Sequence, residues 1–209
     1  MPADRTATAD LEHLYALNQE ARSLLFTGAR TAYRFSDEPV GDDQLRAIWE
    51  LAKWPPTANN VNPMRILYLR TPEAKQRLLP LLAPPNRAKS SSAPVVAVLA
   101  LDSEFDEYVP QLSPATPGMR EALAAAPAMR DAMASFNSAI QAAYFLLAVR
   151  ATGLAAGPMK GFDAPAVDRE FFADGRWRSI LVVNIGKPAD AEATERLPRP
   201  EYDQVVRLL

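Results

Sequence analysis

The sequence contains no cysteine. Disulfides, a thiol nucleophile, thiolate zinc sites and iron–sulfur clusters are thereby excluded. Histidine occurs once, as His13, in a polar N-terminal stretch beside Glu12 and Tyr15. A serine–histidine–acid triad would depend on that residue alone, and no nucleophile elbow accompanies it. A zinc site built on histidines fails for the same reason. No GxGxxG fingerprint is present, which argues against a Rossmann fold. Long apolar runs are also missing. The longest, Ala142 to Val149, is far short of the roughly 20 residues of a membrane span, and Met1 to Thr6 shows no apolar signal-peptide core. A net charge of −2 and a pI of about 5.5 leave no basic surface to attract nucleic acid. The chain therefore reads as soluble and cytoplasmic.

What is present is ample material for one domain. The chain has 209 residues, 48% of them apolar. Leu11, Leu14, Tyr15, Leu17, Ala21, Leu24 and Leu25 recur at helical spacing and predict a first helix over 8–28, ended by Gly28. A second helix begins with Asp42 as N-cap and turns Leu45, Ile48, Trp49 and Ala52 inward, until Pro55-Pro56 stops it. Arg65 to Arg70 reads as a short strand. Thr71 caps a third helix that has Pro72 at its first position. The tract 83–92, rich in proline and serine, reads as a loop. Pro94 to Leu101 is continuously apolar, the pattern of a central strand covered on both faces.

Residues 102–126 are irregular; a connection of this length is either a lid or binding loop or a plain surface excursion. A long helix follows over 128–151, with Met129, Met133, Phe136, Ile140, Ala143 and Leu147 in a 4-3-4-3-4 spacing. It is apolar almost all round in its second half, Gln141 excepted, so it packs in a core or against another subunit. Asp163 caps a helix over 164–172. Arg178 to Ile185 is a further strand, and 187–209 is a tail with a possible short terminal helix. Long helices interleaved with three or four strands, without a βαβ rhythm, predict an α+β sandwich of helices around a mixed, mostly antiparallel sheet.

Four segments could carry chemistry. Arg30 and Thr31 lie just past Gly28, where a guanidinium and a hydroxyl suit a terminal phosphate; a surface arginine beside a turn threonine has the same composition. Pro56 to Pro63 crowds Thr57, Asn59, Asn60 and Asn62 between stiffening prolines. Asparagine pairs a donor and an acceptor on a short arm, matching the polar edge of a flat heterocycle, and it also serves wherever a turn needs unusual backbone angles. Gly157 to Gly161 exposes bare backbone beside Lys160. Arg196 and Arg199 lie in the tail. The carboxylates Asp102, Glu104, Asp106 and Glu107 allow a metal or glycosidase reading, but without a calcium-loop pattern they read as a solvated face.

In this order the segments resemble the FMN-dependent nitroreductase family. Arg30-Thr31-Ala32-Tyr33-Arg34-Phe35 is similar to its N-terminal signature. Pro56 to Pro63 is similar to its Pro-Ser-Ser-x-Asn-x-Gln-Pro loop, with Asn60 and Asn62 at the Asn and Gln positions. Pro158-Met159-Lys160-Gly161-Phe162 matches its Pro-x-x-Gly-Phe segment, and Arg199, or else Arg196, its C-terminal basic residue. Ala29 and Tyr33 stand where many members carry basic residues; Arg34 or Lys160 could compensate. Within the family, Ala29-Arg30-Thr31, Asp102-Ser103-Glu104-Phe105, Gln141-Ala142-Ala143-Tyr144, Gly157-Pro158-Met159 and Arg196-Leu197-Pro198-Arg199 resemble the malonic semialdehyde reductase branch of pyrimidine degradation.

The resemblance implies one domain over 1–209, an intertwined homodimer whose tail, 187–209, reaches the partner, and FMN bound between subunits. It further implies NADPH or NADH as reductant and a small-molecule substrate, without nucleic acid or membrane. The cofactor residues it implies are Arg30, Thr31, Tyr33, Pro56, Thr57, Asn60, Asn62, Pro158, Met159, Lys160, Gly161 and Arg199. FMN carries the chemistry, so no catalytic acid or base and no metal is required. A broad nitroaromatic or quinone reductase and a flavin-binding protein with little catalysis are the alternatives.

Overall fold

An apolar run that lies inside a protein must pair its backbone amides and carbonyls on both sides, and the sheet does this for β2. The computed structural model describes residues 11–189 and 195–209. Along the chain, α1 (Asp42–Ala52) leads to β1 (Met64–Leu69), followed by α2 (Pro72–Leu78) and α3 (Pro84–Ser92). Then come β2 (Val95–Asp102), α4 (Met119–Ala125), α5 (Pro127–Ala151), β3 (Ala155–Met159), α6 (Ala164–Phe171) and β4 (Trp177–Gly186). The sheet has four strands in the order β1-β2-β4-β3, each pair antiparallel. The fold is thus α+β, with an antiparallel sheet between helices.

Every residue of β2 is buried, and its side chains divide by the two-residue period of a strand. Val95, Ala97 and Leu99 pack with Leu45 and Ile48 of α1 and with Phe145 and Val149 of α5. Val96, Val98 and Ala100 pack with Leu78 of α2, Val167 of α6 and Phe172. A third cluster joins Val61, Leu101, Phe105, Val109, Leu123 and Ala134 at one end of the sheet.

Several expected elements are drawn differently. The helix predicted over 8–28 is a set of fragments in its described part: a 3-10 turn at Glu12–Leu14, a helical turn at Gln19–Arg22 and a π turn at Ser23–Thr27. Asn18 restarts the helix by accepting from the Ala21 amide at 2.8 Å. The leucines that set the periodicity, Leu11, Leu14, Leu17 and Leu24, are all exposed, so no burial enforces one straight helix. Gly41, not Asp42, is the N-cap of α1, with Gln44 Oε1 accepting from the Gly41 amide at 2.9 Å. Leu45, Ile48 and Ala52 are buried, whereas Trp49 is exposed.

The tract 83–92 is the helix α3 and not a loop. Its prolines occupy the first turn, where the missing amide hydrogen costs no hydrogen bond. Residues 155–159, read as part of a brief apolar run and loop, form β3. It pairs only with β4, so Pro158 sits on an edge where a strand tolerates proline. The other boundaries hold: Thr71 Oγ1 accepts from the Ala74 amide at 3.2 Å and Asp163 Oδ1 from the Ala166 amide at 3.1 Å.

Residues 102–126 are packed short helices rather than an open excursion, with Phe105, Val109 and Leu123 buried. In α5 the large residues of the expected stripe are turned out or half-buried; Met129 and Phe136 are exposed. The buried face carries Ala134, Asn137, Ser138, Gln141, Ala142, Phe145, Ala148 and Val149. Among the described residues α5 is the one helix long and apolar enough to cross a membrane. Its buried polar residues and its packing on the sheet give it a core role here.

Candidate functional site

The Asn loop is built from buried polar groups outward. Asn59, Asn60 and Asn62 all adopt left-handed backbone angles, with φ of 51°, 55° and 43°. Asparagine enters this region more readily than most side chains, but such angles persist only where surroundings hold them. Here α5 and neighbouring segments do so. Asn137 Oδ1 accepts from the Ala58 amide at 2.8 Å. Gln141 Oε1 accepts from the Met64 amide at 2.9 Å, while Gln141 Nε2 donates to Asn62 Oδ1 at 3.2 Å. Asn60 Nδ2 donates to the Leu112 carbonyl at 2.7 Å, and Asn62 Nδ2 donates to Asn60 Oδ1 at 2.8 Å. The Asn62 amide donates to Thr57 Oγ1 at 3.4 Å. The amide groups of Asn60 and Asn62 are thus engaged in shaping the loop. Pro56, Asn59 and Asn60 remain exposed along it.

A second group gathers where the π turn ends at Gly28. Arg30 Nη1 donates to the carbonyls of Thr27 and Ala29 at 3.1 and 3.0 Å. Arg196 of the tail donates to the same two carbonyls at 2.7 and 3.1 Å and to that of Phe26 at 3.2 Å. Arg150 of α5 donates to the Leu25 carbonyl at 3.3 Å. Desolvation, together with the charges of Arg30 and Arg199, lowers the Arg196 pKa. Desolvation and the charge of Arg196 lower that of Arg150. Arg199 itself donates to the Leu197 and Pro198 carbonyls, so Arg196 is the tail residue that engages the segment before Thr31. Arginines that converge on backbone carbonyls and repel one another form a place for an anion.

The segments 30–35 and 157–161 lie side by side. A Cβ on Gly157 would stand in van der Waals contact, 3.4 Å, with the Ala32 carbonyl and with the Asn184 Cβ. α3 spans the two segments. Asn86 Nδ2 donates to the Gly161 carbonyl at 2.9 Å and Ser90 Oγ to Met159 Sδ at 3.7 Å. Ser92 Oγ accepts from the Phe35 amide at 3.4 Å, and Lys89 Nζ lies 5.4 Å from the centre of the Tyr33 ring. Desolvation lowers the Lys89 pKa. Lys160 is committed elsewhere: its Nζ donates to the Ile180 carbonyl at 2.7 Å. Tyr33 and Gly161 are exposed, Arg30, Thr31 and Pro158 half-buried, and Met159 buried.

The sequence reading did not single out Asn86, Lys89 or Asn137. The spacing of 86, 89 and 90 marks one helical face, hidden by taking two prolines for a loop; Asn137 and Gln141 share a face by their spacing of four. Of the four carboxylates read as a solvated face, Glu104 and Glu107 are exposed and the two aspartates are not. Asp102 and Asp106 are buried. Asp102 pairs with Arg65 at 2.8 Å and Arg176 at 2.9 Å, and Asp106 pairs with Arg130 at 3.3 Å. Hydrogen bonding to Asp102, ahead of the charges of Asp102 and Glu107, raises the Arg176 pKa. Among the described residues no cluster of His, Asp or Glu is arranged to hold a metal ion.

Comparison with known proteins places the family and the fold. The model of the Nitroreductase family matches residues 27–187. A Streptomyces coelicolor protein named "Putative NADH dehydrogenase/NAD(P)H nitroreductase" is 58% identical over 187 residues, which cover 90% of this chain and 93% of that protein. A nitroreductase family protein from Streptococcus pneumoniae superposes with a TM-score of 0.76 at 20% identity, over 91% of this chain and 98% of that one. A structure described as a putative nitroreductase in complex with FMN, from Exiguobacterium sibiricum, gives a TM-score of 0.77 at 17% identity, over 93% and 99%. At these identities the two structures speak to the fold.

Proposed function

The chain belongs to the nitroreductase family, and from that premise we propose that it is an FMN-dependent NAD(P)H oxidoreductase. The observation that carries this reading is the convergence of Arg30, Arg196 and Arg150 on the carbonyls of residues 25–29, with Arg199 close by in charge. A phosphate group fits there: it would accept charge-assisted hydrogen bonds from guanidinium groups that already converge on main-chain carbonyls. Thr31 adds a neutral donor. The Asn loop, with Pro56, Thr57, Asn60 and Asn62, offers a prebuilt polar rim, and Tyr33, Pro158, Met159, Lys160 and Gly161 line the other side.

When bound, FMN supplies the hydride chemistry between NAD(P)H and a second substrate, in ping-pong order. The chain's own residues bind and orient it; none is required as an acid or base. In a single chain the arginine end and the Asn loop are tied to different partners. A homodimer would set the two groups of neighbouring copies against each other. Met129 and Phe136 of α5, with Leu24, Phe26 and Leu197, supply exposed apolar surface for such a contact.

The acceptor suggested by the branch resemblance is 3-oxopropanoate, reduced to 3-hydroxypropanoate in the cytoplasm. Lys89, beside Tyr33, is a cation for its carboxylate. The second reading is a broad NAD(P)H nitroreductase or quinone reductase, favoured by the name of the Streptomyces coelicolor relative. The protein purified with FMN should oxidise NADH or NADPH and turn over the semialdehyde faster than a nitroaromatic. Equal or better nitro turnover would replace the first acceptor by the second. A colourless protein that takes up no added FMN would overturn the reading as a whole.

A further inference from the structure

Asp102 is the most enclosed charge near the Asn loop, and no step of the proposed reaction uses it. Its side chain is 1% exposed. Its Oδ2 faces Arg65 Nη2 at 2.8 Å, and its Oδ1 accepts from Arg176 Nε at 2.9 Å and from the Glu104 amide at 2.9 Å. One carboxylate thus holds two guanidinium groups, with its oxygens occupied. Arg65 has a second arm: its Nη1 donates to the Asn62 carbonyl and to the Met64 carbonyl, both at 2.9 Å. The Asp102 amide itself donates to the Pro63 carbonyl at 2.9 Å. The end of β2 therefore grips the exit of the Asn loop twice, once through backbone and once through the carboxylate and Arg65.

The same carboxylate reaches the segment that follows it. Arg176 pairs with Glu107 at 2.9 Å, and the Tyr108 ring lies 5.0 Å from the Arg65 guanidinium and 5.9 Å from that of Arg176. Four residues later the Leu112 carbonyl accepts from Asn60. The left-handed asparagines are thus held from both ends by elements that meet at Asp102.

We propose that Asp102 is a positioning residue which, by aiming Arg65 at the Asn62 carbonyl, holds the Asn loop in its left-handed form and so fixes the rim on which the flavin rests. The last clause rests on the reading of the preceding subsection; the first stands on this chain alone. A buried carboxylate fixes a guanidinium in direction as well as in charge, because the planar fork admits few geometries. Neutralising it leaves Arg65 free to turn toward solvent, and the loop loses the donor at its exit.

Two variants test this. Asp102→Asn keeps the shape and one acceptor oxygen and removes the charge. Arg65→Lys keeps a cation for Asp102 but cannot span Asp102 and the Asn62 carbonyl together. Hydrogen–deuterium exchange of the cofactor-free protein reads the loop without any flavin, and FMN titration of the wild type and both variants reads the rim. Amides of residues 58–64 should exchange about tenfold faster in either variant, with β4 and the second half of α5 unchanged, and the FMN Kd should rise about tenfold.

Unchanged exchange in 58–64, or acceleration spread evenly over the sheet, would overturn the positioning role. Should Asp102→Asn not fold, Arg65→Lys decides alone by the same criterion. Faster loop exchange with an unaltered FMN Kd would overturn the link to the flavin. A wild type that binds no FMN, yet whose variants show the local acceleration, would remove the functional reading and leave the positioning role standing.

Discussion

At the Asn loop, strained backbone is met by side chains from a neighbouring helix and strand; at the turn ending in Gly28, three arginines gather on backbone carbonyls. Both regions are polar and both belong to the proposed site. In the first, Gln141 and Asn137 are buried, and their side chains bond the Ala58 and Met64 amides and Asn62 Oδ1. That region is complete as folded. In the second, desolvation and the charge of Arg196 lower the Arg150 pKa, and desolvation with the charges of Arg30 and Arg199 lowers that of Arg196. In the proposed reading an anionic ligand would add to the partners of these like charges. One part of the proposed site is thus closed by side-chain hydrogen bonds, and the other gathers positive charge.

This contrast can be broken at its strong side first. Gln141→Leu leaves the buried Met64 amide without a partner and takes the Gln141 donor from the half-buried Asn62 Oδ1. It should lower stability by about 2–4 kcal/mol, since an orphaned buried group costs about 1–3 kcal/mol and a lost hydrogen bond about 0.5–1.5 kcal/mol. A urea titration measures this, and a loss below about 1 kcal/mol would mean the loop is not held from α5. The arginine side should behave oppositely. Arg30→Ala should leave the urea midpoint of the cofactor-free chain almost unmoved and weaken FMN binding by roughly 1.5–3 kcal/mol, the worth of a hydrogen bond to a charged group. Fluorescence titration checks it; equal affinity would detach Arg30 from the anion.

Tyr68 sharpens the scale between the two. Its hydroxyl is buried without a hydrogen-bond partner, and burial pushes its pKa up to about 12. The folded state then keeps a proton that the unfolded chain releases near pH 10, so stability is full below that value and falls as pH rises toward 12. Tyr68→Phe should remove about 1–2 kcal/mol of that alkaline loss, after allowance for partial exposure, and cost little at pH 7. Urea midpoints of both proteins at pH 8 and pH 11.5 compare them; parallel losses would show the phenol to be solvated.

The sequence made the interior strand and the capped helices legible because each depends on a few local residues. The unbroken apolar run of β2 needs two covered faces, and Thr71-Pro72 and Asp163 start helices by local hydrogen bonds. The misread elements depend on distant neighbours. Residues 155–159 become a strand only because β4 offers an edge, and 83–92 becomes a helix that borrows its purpose from residues 33–35 and 159–161. The periodic leucines of the N-terminal stretch implied a burial that this chain does not provide by itself. In the site, residue types that bind phosphate or ring edges could be picked out. That Asn60 and Asn62 would spend their amides on the loop could not be seen, since their partners lie about 50 to 80 residues away in sequence.

α3 is a short, mostly hydrophilic surface rod, the kind of element in which substitutions are usually harmless. Its Asn86, Lys89, Ser90 and Ser92 nevertheless touch both the 33–35 and the 159–161 segments. Changes to this rod would therefore alter the tilt and spacing of those two segments, giving mutation a handle on them from a helix whose composition draws no notice.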